Sequence, residues 1–181
     1  MSLTITEALA ETKTLDKRIT KKREAIAGFL ARQEKVKDPL AAEGGSVQFI
    51  EREEQAIADL EERLIGIRRA ILKANTETLV SVNGDTRSIQ DWLTWRREVA
   101  PKQQAYLVAI RGGIQKVRQE CQQKGLAMVQ ATAQVGTAEP NDVWVNVSEK
   151  ELAERIEKLE TVLGTLDGQL SLKNATTTVE V

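Results

Sequence analysis

Two tryptophans and two arginines come closest to a binding motif in this chain. Trp92 and Trp95 lie three residues apart in a predicted helix, and Arg96 and Arg97 follow directly. Aromatic rings beside guanidinium groups can stack a flat ligand or hold it by cation–π contact. The alternative is that Trp92 packs into a helical core while Trp95 covers a neighbouring hairpin. We favour this alternative, because aromatic residues in helices usually belong to the core.

A group of glutamates in a predicted second helix offers oxygen ligands of the kind that Mg²⁺ or Ca²⁺ prefers. They are Glu51, Glu53, Glu54, Glu61 and Glu62. The two-metal site of helical bundles needs Glu-x-x-His pairs, and it is excluded because the chain contains no histidine. Arginines at positions 63, 68 and 69 favour surface ion pairs one helical turn apart. We therefore predict no metal and no other cofactor.

The residues of a nucleophilic centre are also missing. Cys121 is the single cysteine, and no histidine is available to activate it. A buried, inert thiol is the expected state of Cys121. The pairs Gly44-Gly45 and Gly112-Gly113 lack the spacing of phosphate-binding loops. We predict that the protein is not an enzyme, with no catalytic residue and no small-molecule substrate.

The composition describes a chain with an aliphatic core and little net charge. Of its 181 residues 41% are hydrophobic, 29% are charged and 3% are aromatic, and the net charge is −1. A basic run at 13–23 is balanced by neighbouring acids, which indicates a solvated helix face. Nucleic acid is therefore not an expected partner. No apolar run is long enough to span a bilayer, so a membrane is not expected either.

Heptad spacing of hydrophobic residues predicts two long helices that must cover each other. Thr4 and Glu7 spell a capping box, and Asp38-Pro39 is a helix stop, so we expect a first helix from 5 to about 36. The second is expected over 47–74, antiparallel to the first, within one chain or between two. Gly66, inside it, predicts a close approach of another helix.

The rest of the chain alternates between short extended pieces and helices. Asn83-Gly84 predicts a hairpin over 78–87. A third helix is expected from Ile89, with a kink or break near Val99 caused by Pro101. It is expected to end at Gly125 or to continue weakly through Met128 and Val135. Residues 136–142 are a predicted linker, followed by a strand at 143–147, a helix from 149 and a β-rich tail at 176–181. The tail is expected to pair with 143–147 or with another chain, and no internal repeat is evident.

These elements predict a mainly α fold. Its body is an antiparallel, coiled-coil-like bundle of long helices with a β-hairpin insertion and a short β element near the C-terminus. We expect two regions. Residues 1–135 form the helical bundle with the hairpin, and residues 136–181 carry the strand, the last helix and the β tail.

Apolar residues on the extended pieces are the predicted contacts with neighbouring subunits, because a bundle cannot easily bury them. They are Trp144, Val143, Val145, Val179, Val80 and Val82. Trp144 is placed first, since aromatic side chains anchor many subunit contacts.

Two stretches resemble known groups of proteins. Residues 64–76, the hairpin at Asn83-Gly84, residues 88–93 and Arg96 resemble the septicolysin-like family of small helical bacterial proteins. In that family a helix leads through a glycine-centred hairpin into a Ser/Thr-capped helix carrying an arginine. Residues 5–10 are similar to the start of short helical proteins from tailed-phage structural gene clusters. The family's name implies a cytolysin, and it supplies no catalytic residues.

Two functions remain as hypotheses. The first is a non-enzymatic structural or assembly protein, most concretely a virion component of a tailed phage, that packs against copies of itself and other virion proteins. The alternative, implied by the cytolysin name, is a cytoplasmic bacterial protein acting on a membrane. The predicted location is accordingly a virion or the bacterial cytoplasm.

Overall fold

The computed structural model describes residues 2–130 and 141–181. Four long helices dominate the fold, which is 72% helical, so the predicted mainly α class is confirmed. The long helices are α1 (Ile5–Ala27), α2 (Gly45–Glu77), α4 (Ala100–Lys124) and α5 (Glu149–Thr176), and a short helix, α3 (Ile89–Thr94), precedes α4. The strands are β1 (Ser2–Thr4), β2 (Leu79–Val82), β3 (Asp85–Ser88), β4 (Met128–Gln130), β5 (Val143–Val145) and β6 (Thr178–Glu180). A short 3₁₀ turn, Ala41–Glu43, precedes α2.

The chain forms two compact units. One contains Met1–Leu79 together with Ser171–Val181, and the other contains Val80–Leu170. This differs from the predicted division into 1–135 and 136–181. The predicted boundary followed a Gly- and Pro-containing stretch along the chain, whereas the units follow spatial packing. Packing brings the C-terminal strand to the first unit and splits the hairpin region from α2.

In the first unit, α1 and α2 pack antiparallel within one chain. Every third or fourth residue of α1 from Ile5 to Ile19 is buried, and α2 buries Ile57, Ile67 and Ile71. Ion pairs cross between the helices from Lys22 to Glu53, from Arg23 to Glu61, from Arg63 to Glu11 and from Arg68 to Asp16. The predicted pairing of glutamates with arginines on the same helix is therefore replaced by pairing across the two helices.

The first helix ends earlier than predicted, at Ala27 rather than near residue 36. The chain between the helices is organised by Asp38, whose carboxylate accepts hydrogen bonds from the backbone N–H groups of Leu40 and Ser46 and from the Ser46 hydroxyl. Chiefly the bond from the Ser46 N–H lowers the pKa of Asp38. The Asp38 loop lies where a connection was expected, whereas residues 28–36, which the heptad pattern assigned to the helix, lie outside α1.

The C-terminal strand pairs with the N-terminal strand of the same chain. β6 lies antiparallel to β1, with Leu3 opposite Val179, and the Ile5 N–H donates to the Thr177 carbonyl at 2.9 Å. The expected pairing of the tail with residues 143–147 is therefore wrong. β5 instead pairs in parallel with β4, with Met128 opposite Val143. The predicted linker at 136–142 falls mostly outside the described residues.

The second unit begins with the predicted hairpin and the predicted cap of the following helix. Asn83, at a φ of 49°, and Gly84, at 87°, turn β2 into β3. The Ser88 hydroxyl then accepts the Asp91 N–H and begins α3. Trp92 is buried, and its indole N–H donates to the Val80 carbonyl at 2.9 Å.

A π-helical turn, Trp95–Val99, joins α3 to α4. Pro101 cannot donate a backbone hydrogen bond, and its ring clashes with the carbonyl four residues earlier. The wider turn interrupts the regular α-helical hydrogen bonding between Thr94 and Ala100, so the break expected near Val99 is present as a π-helical turn. α4 ends at Lys124, and Gly125 caps it with a φ of 66°. This agrees with the predicted end at Gly125.

The core of the second unit lies between α4 and α5. It is a cluster of buried side chains closed on one side by β5. Its members are Ala100, Leu107, Ile114, Val145, Leu152 and Leu159.

The two halves of the sequence repeat one order of elements, although no repeat was predicted. Each half runs strand, helix, connection, helix, strand, from β1 to β2 and from β3 to β6. In the second half α3, the π-helical turn and α4 together stand for the first helix, and the connection also contains β4 and β5. The first helix of each half has a Ser/Thr cap followed by an acid, at Thr4 and at Ser88. Near the end of each half, the Oδ1 atoms of Asn75 and Asn174 are buried without a hydrogen-bond partner among the described residues.

Two further expectations concern small residues and membranes. A methyl group placed on Gly66, Gly112 or Gly113 would meet no atom within 4 Å, so the close helix approach predicted at Gly66 is absent from the described part of the chain. Across residues 2–130 and 141–181, no helix combines the length and apolar character that crossing a bilayer requires.

Candidate functional site

Most of the predicted interface residues belong to the interior of the chain. Val80 and Val82 are each 2% exposed, Val179 is 4% exposed and Val145 is 8% exposed. The premise that the bundle cannot bury them is wrong, because helices cover these strands: Val145 belongs to the α4–α5 core, and β6 contacts α1 and α2. Their predicted role as contacts with other subunits has thereby lost its physical reason.

Trp144 and Val143 differ from the other four. Trp144 is 41% exposed, although it lies in β5 between a half-buried and a buried valine. Alternation along the strand turns the Trp144 ring away from the face that carries Val145. Trp144 therefore stays a predicted contact residue.

A row of exposed apolar residues runs along the outside of α2. Ala58, Ile65 and Leu72 are spaced by seven residues and share one face of the helix. Ile65 is 57% exposed and Leu72 is 56% exposed. Beside the row lie Glu62 and Arg69, which have no ion-pair partner in the described part of the chain. We call this surface the outer α2 face.

A cleft of about 280 Å³ opens in the second unit. Its apolar wall consists of Trp92, Leu107, Leu159 and Val162, which are all buried. Trp95 completes this wall, and its ring meets that of Trp92 edge-on with the centroids 5.5 Å apart. We call it the tryptophan cleft.

The rim of the tryptophan cleft is predominantly cationic. Arg87 lies over the Trp92 ring, 4.9 Å from its centroid, and pairs with Asp85 at 3.1 Å. Arg155 and Lys158 project from α5, one helical turn apart, and neither has a carboxylate partner among the described residues. Asp85 is the only acidic residue in the described lining, so positive charge exceeds negative charge there.

Polar groups without a partner in residues 2–130 and 141–181 complete the rim. They are the Gln103 amide and the Tyr106 hydroxyl on α4, with the Trp95 indole N–H beside them. The π-helical turn positions Trp95, which packs against the α4–α5 core while lining the cleft. Such turns occur often at functional sites.

A second cleft of the same unit has a different electrostatic character. It measures about 370 Å³ and is lined by Arg118 and Glu149, among others. An Arg118 guanidinium nitrogen lies 2.6 Å from both carboxylate oxygens of Glu149. Its best-placed charges thus neutralise each other, and the tryptophan cleft is the stronger candidate for a charged ligand.

The sequence identified only part of this arrangement. It singled out Trp92 and Trp95, and Trp92 is in the core as favoured. Arg96, named with them, pairs instead with Asp167 at 2.8 Å. Arg155 and Lys158 were missed, because only the packing of α5 brings them to the tryptophans. In the sequence each follows a glutamate by four residues, Glu151 and Glu154, so no local pattern distinguished them from ordinary surface charges.

The other candidate chemistry has an ordinary structural place. Cys121 is buried in α4, as expected. Among the residues that the structure describes, no cluster of three or more histidine, cysteine, aspartate or glutamate side chains has a geometry suited to a metal ion. Glu53 and Glu61 bind cations of α1.

Comparison with known proteins establishes the fold alone. No protein-family model and no curated protein matches the chain. The structure is similar to the crystal structure of a functionally unknown conserved protein from Corynebacterium diphtheriae, with 14% sequence identity and a TM-score of 0.54. The match covers 99% of this chain and 100% of that chain.

Proposed function

We propose that this protein is a non-catalytic assembly protein that associates with a second copy of itself through the outer α2 face. The observation that supports the proposal is the unpartnered apolar row Ala58, Ile65 and Leu72. A long helix normally covers such a row with another helix. α1 covers the side of α2 that carries Ile57, Ile67 and Ile71, and the exposed row outside that contact supports a partner from another molecule.

Charge complementarity supports a second copy as the partner. A twofold axis beside Ile65 brings two copies of α2 together antiparallel, with Ile65 against Ile65 and Ala58 against Leu72. The same axis places Glu62 of each copy opposite Arg69 of the other. Because Glu62 and Arg69 have no partner within the described chain, the pairs form without breaking existing ones.

The proposed contact between two copies of α2 is small, so we expect the association to be weak. Residues 58–72 span roughly 20 Å of helix, and stable interfaces bury about 1,200–2,000 Å² in total. A single helix pair of this length falls short of that range. The proposal therefore specifies a weak dimer that forms at high protein concentration, or one reinforced within a larger assembly.

Light scattering and sedimentation over a range of concentrations test the proposal. The wild-type chain should change from monomer to dimer, and Ile65→Lys should remain monomeric, because two lysines would meet at the axis. Val108→Lys, at an exposed apolar position of α4, is the control and should leave association unchanged. A strict monomer at high concentration would contradict the proposal.

A charge exchange tests the geometry as well as the contact. Glu62→Arg and Arg69→Glu should each weaken association, because each leaves like charges opposed. The double variant restores opposite charges and should associate as the wild type does. If the loss of association free energy in the double variant equals the sum of the losses in the two single variants, the antiparallel arrangement is wrong.

The finer proposal is that the assembly is part of a tailed-phage virion. It is supported by the resemblance of residues 5–10 to proteins of phage structural gene clusters. Genes for capsid, portal or tail proteins beside this gene, and the protein in purified particles, are the expected observations. A gene neighbourhood without structural phage genes counts against it.

A further inference from the structure

We propose that the tryptophan cleft binds a small organic anion that carries a flat aromatic ring, such as an aryl phosphate or aryl carboxylate. This ligand is not offered as the substrate of a reaction. The proposal concerns only the second unit and does not depend on association through α2. It departs from the sequence-based expectation that no small molecule binds.

The charge of the ligand follows from the cationic side chains of the cleft. Arg87, Arg155 and Lys158 face one carboxylate, that of Asp85. Asp85 pairs with Arg87, so Arg155 and Lys158 are the groups left to bind an anion. They lie one helical turn apart on α5, which places both cations on the same side of the opening. Charge-assisted hydrogen bonds to phosphate or carboxylate are stronger than neutral ones.

The ring of the ligand follows from the aromatic wall. Trp92 is already covered by the Arg87 guanidinium, whereas Trp95 is half-buried and Tyr106 is exposed. A planar ring between Trp95 and Tyr106 gains stacking and apolar contact in one step. The Gln103 amide and the Tyr106 hydroxyl beside it can supply neutral hydrogen bonds that fix the ring's orientation.

The size of the ligand follows from the volume of the cleft. At about 280 Å³, the cleft lies near the lower limit for small-molecule sites, which run from about 300 to 1,000 Å³. One ring with one anionic group fits such a space. A dinucleotide or a lipid chain does not.

Titration with phenyl phosphate, followed by ¹⁵N NMR of the indole N–H groups, tests the proposal. The chain has three tryptophans, so the signals separate well. The Trp95 signal should shift saturably, while that of Trp144, which does not line the cleft, should not. Benzoate in a parallel titration distinguishes a preference for phosphate from one for carboxylate, and saturable binding of either supports the proposal.

Two partial ligands separate the contributions of charge and ring. Inorganic phosphate and phenol should each bind at least about tenfold more weakly than phenyl phosphate, a difference of about 1.4 kcal/mol. If phenol binds as tightly as phenyl phosphate, the cleft is merely apolar and the proposal is wrong. If inorganic phosphate binds as tightly, the ring has no role and the proposal is equally wrong.

Variants locate the site. Arg155→Ser with Lys158→Ser should weaken phenyl phosphate binding about tenfold or more. Lys116→Ser with Lys124→Ser removes the same charge from exposed positions of α4 outside the cleft and should have little effect. Equal weakening by both pairs, or no saturable shift of Trp95 up to roughly 10 mM ligand, overturns the proposal. All four positions are exposed, so folding is not at risk.

Discussion

The indole N–H of Trp92 is a buried polar group in the interior of the second unit, and it has a hydrogen-bond partner. It donates to the Val80 carbonyl at 2.9 Å from a side chain that is 1% exposed. Trp92→Phe leaves this carbonyl without its partner and reduces the volume of the core, so unfolding in urea should show a loss of roughly 2–4 kcal/mol.

Trp144 provides the matched control for this substitution. It is 41% exposed, so Trp144→Phe should change stability by less than about 0.5 kcal/mol. If the two substitutions cost the same, the bond from Trp92 to Val80 is not the source of the effect.

The carboxylate of Asp38 makes the loop between α1 and α2 sensitive to pH. Folding lowers the pKa of Asp38, chiefly through the hydrogen bond from the Ser46 N–H. The contribution of this contact to stability is therefore fully present above the pKa of Asp38 in the unfolded chain, which is about 4. It is lost as the pH falls through the lower pKa that Asp38 has in the folded chain.

Carbon-detected NMR titration of the Asp38 carboxyl measures this pKa directly. Ser46→Ala removes the hydroxyl donor, which bonds to Asp38 at 2.7 Å, and should move the pKa of Asp38 back toward its ordinary value. Glu43→Ala, in the adjacent 3₁₀ turn, makes no bond to Asp38 and should leave that pKa unchanged. An unaltered pKa in Ser46→Ala would contradict the assignment.

At the scale of elements, two glycines of α4 are expected to respond oppositely to substitution by alanine. One lies inside the helix and the other caps its C-terminal end. Gly113 is helical, and a methyl group there meets no atom within 4 Å, whereas Gly125 adopts a φ of 66°. Gly113→Ala should stabilise the chain by about 0.5–1 kcal/mol. Gly125→Ala should destabilise it by about 1 kcal/mol. Thermal unfolding of the pair measures both, and a loss of stability in Gly113→Ala would indicate a partner at that helix face.

The β6 strand offers a test of whether its valine serves the core or a neighbouring subunit. Val179 is buried opposite Leu3, so Val179→Ala should destabilise the folded chain by about 1–3 kcal/mol at any protein concentration. An effect seen only on oligomeric state, with unfolding unchanged, would restore the original interface prediction for Val179. Val47→Ala, at a position 72% exposed, should leave the free energy of unfolding nearly unchanged.

The elements that the sequence predicted well are those set by neighbouring residues. The caps at Thr4 and Ser88, the turn at Asn83-Gly84 and the helix end at Gly125 each depend on atoms a few residues apart. The pairing of β6 with β1 depends on chain ends that are far apart in sequence, and no local pattern specifies it. The same holds for the candidate site, since Trp95 and Arg155 meet only after α4 and α5 have packed.

At the scale of the whole molecule, the repeated order of elements explains the pairing of the strands. Each half of the sequence begins and ends with a strand, and each of the sheets β1–β6 and β2–β3 takes one strand from each half. The chain connects β2 to β3 through Asn83-Gly84. Ser2 and Glu180 are register partners in the corresponding sheet, so the two chain ends are adjacent.

A circular permutant tests this equivalence. Joining residue 181 to residue 2 through an Asn-Gly linker turns β6 and β1 into a hairpin, and new ends between Asn83 and Gly84 open the existing one. The permutant should fold with unchanged helical content and lose only about 1–2 kcal/mol of stability, because opening a surface turn breaks few contacts. A permutant opened between Gly112 and Gly113 should lose much more, since that break interrupts the hydrogen bonding of α4. Circular dichroism and urea unfolding distinguish the two. If both permutants lose the same amount of stability, the two sheets are not equivalent. The turn at Asn83-Gly84 would then be needed for folding, and a turn between β6 and β1 could not replace it.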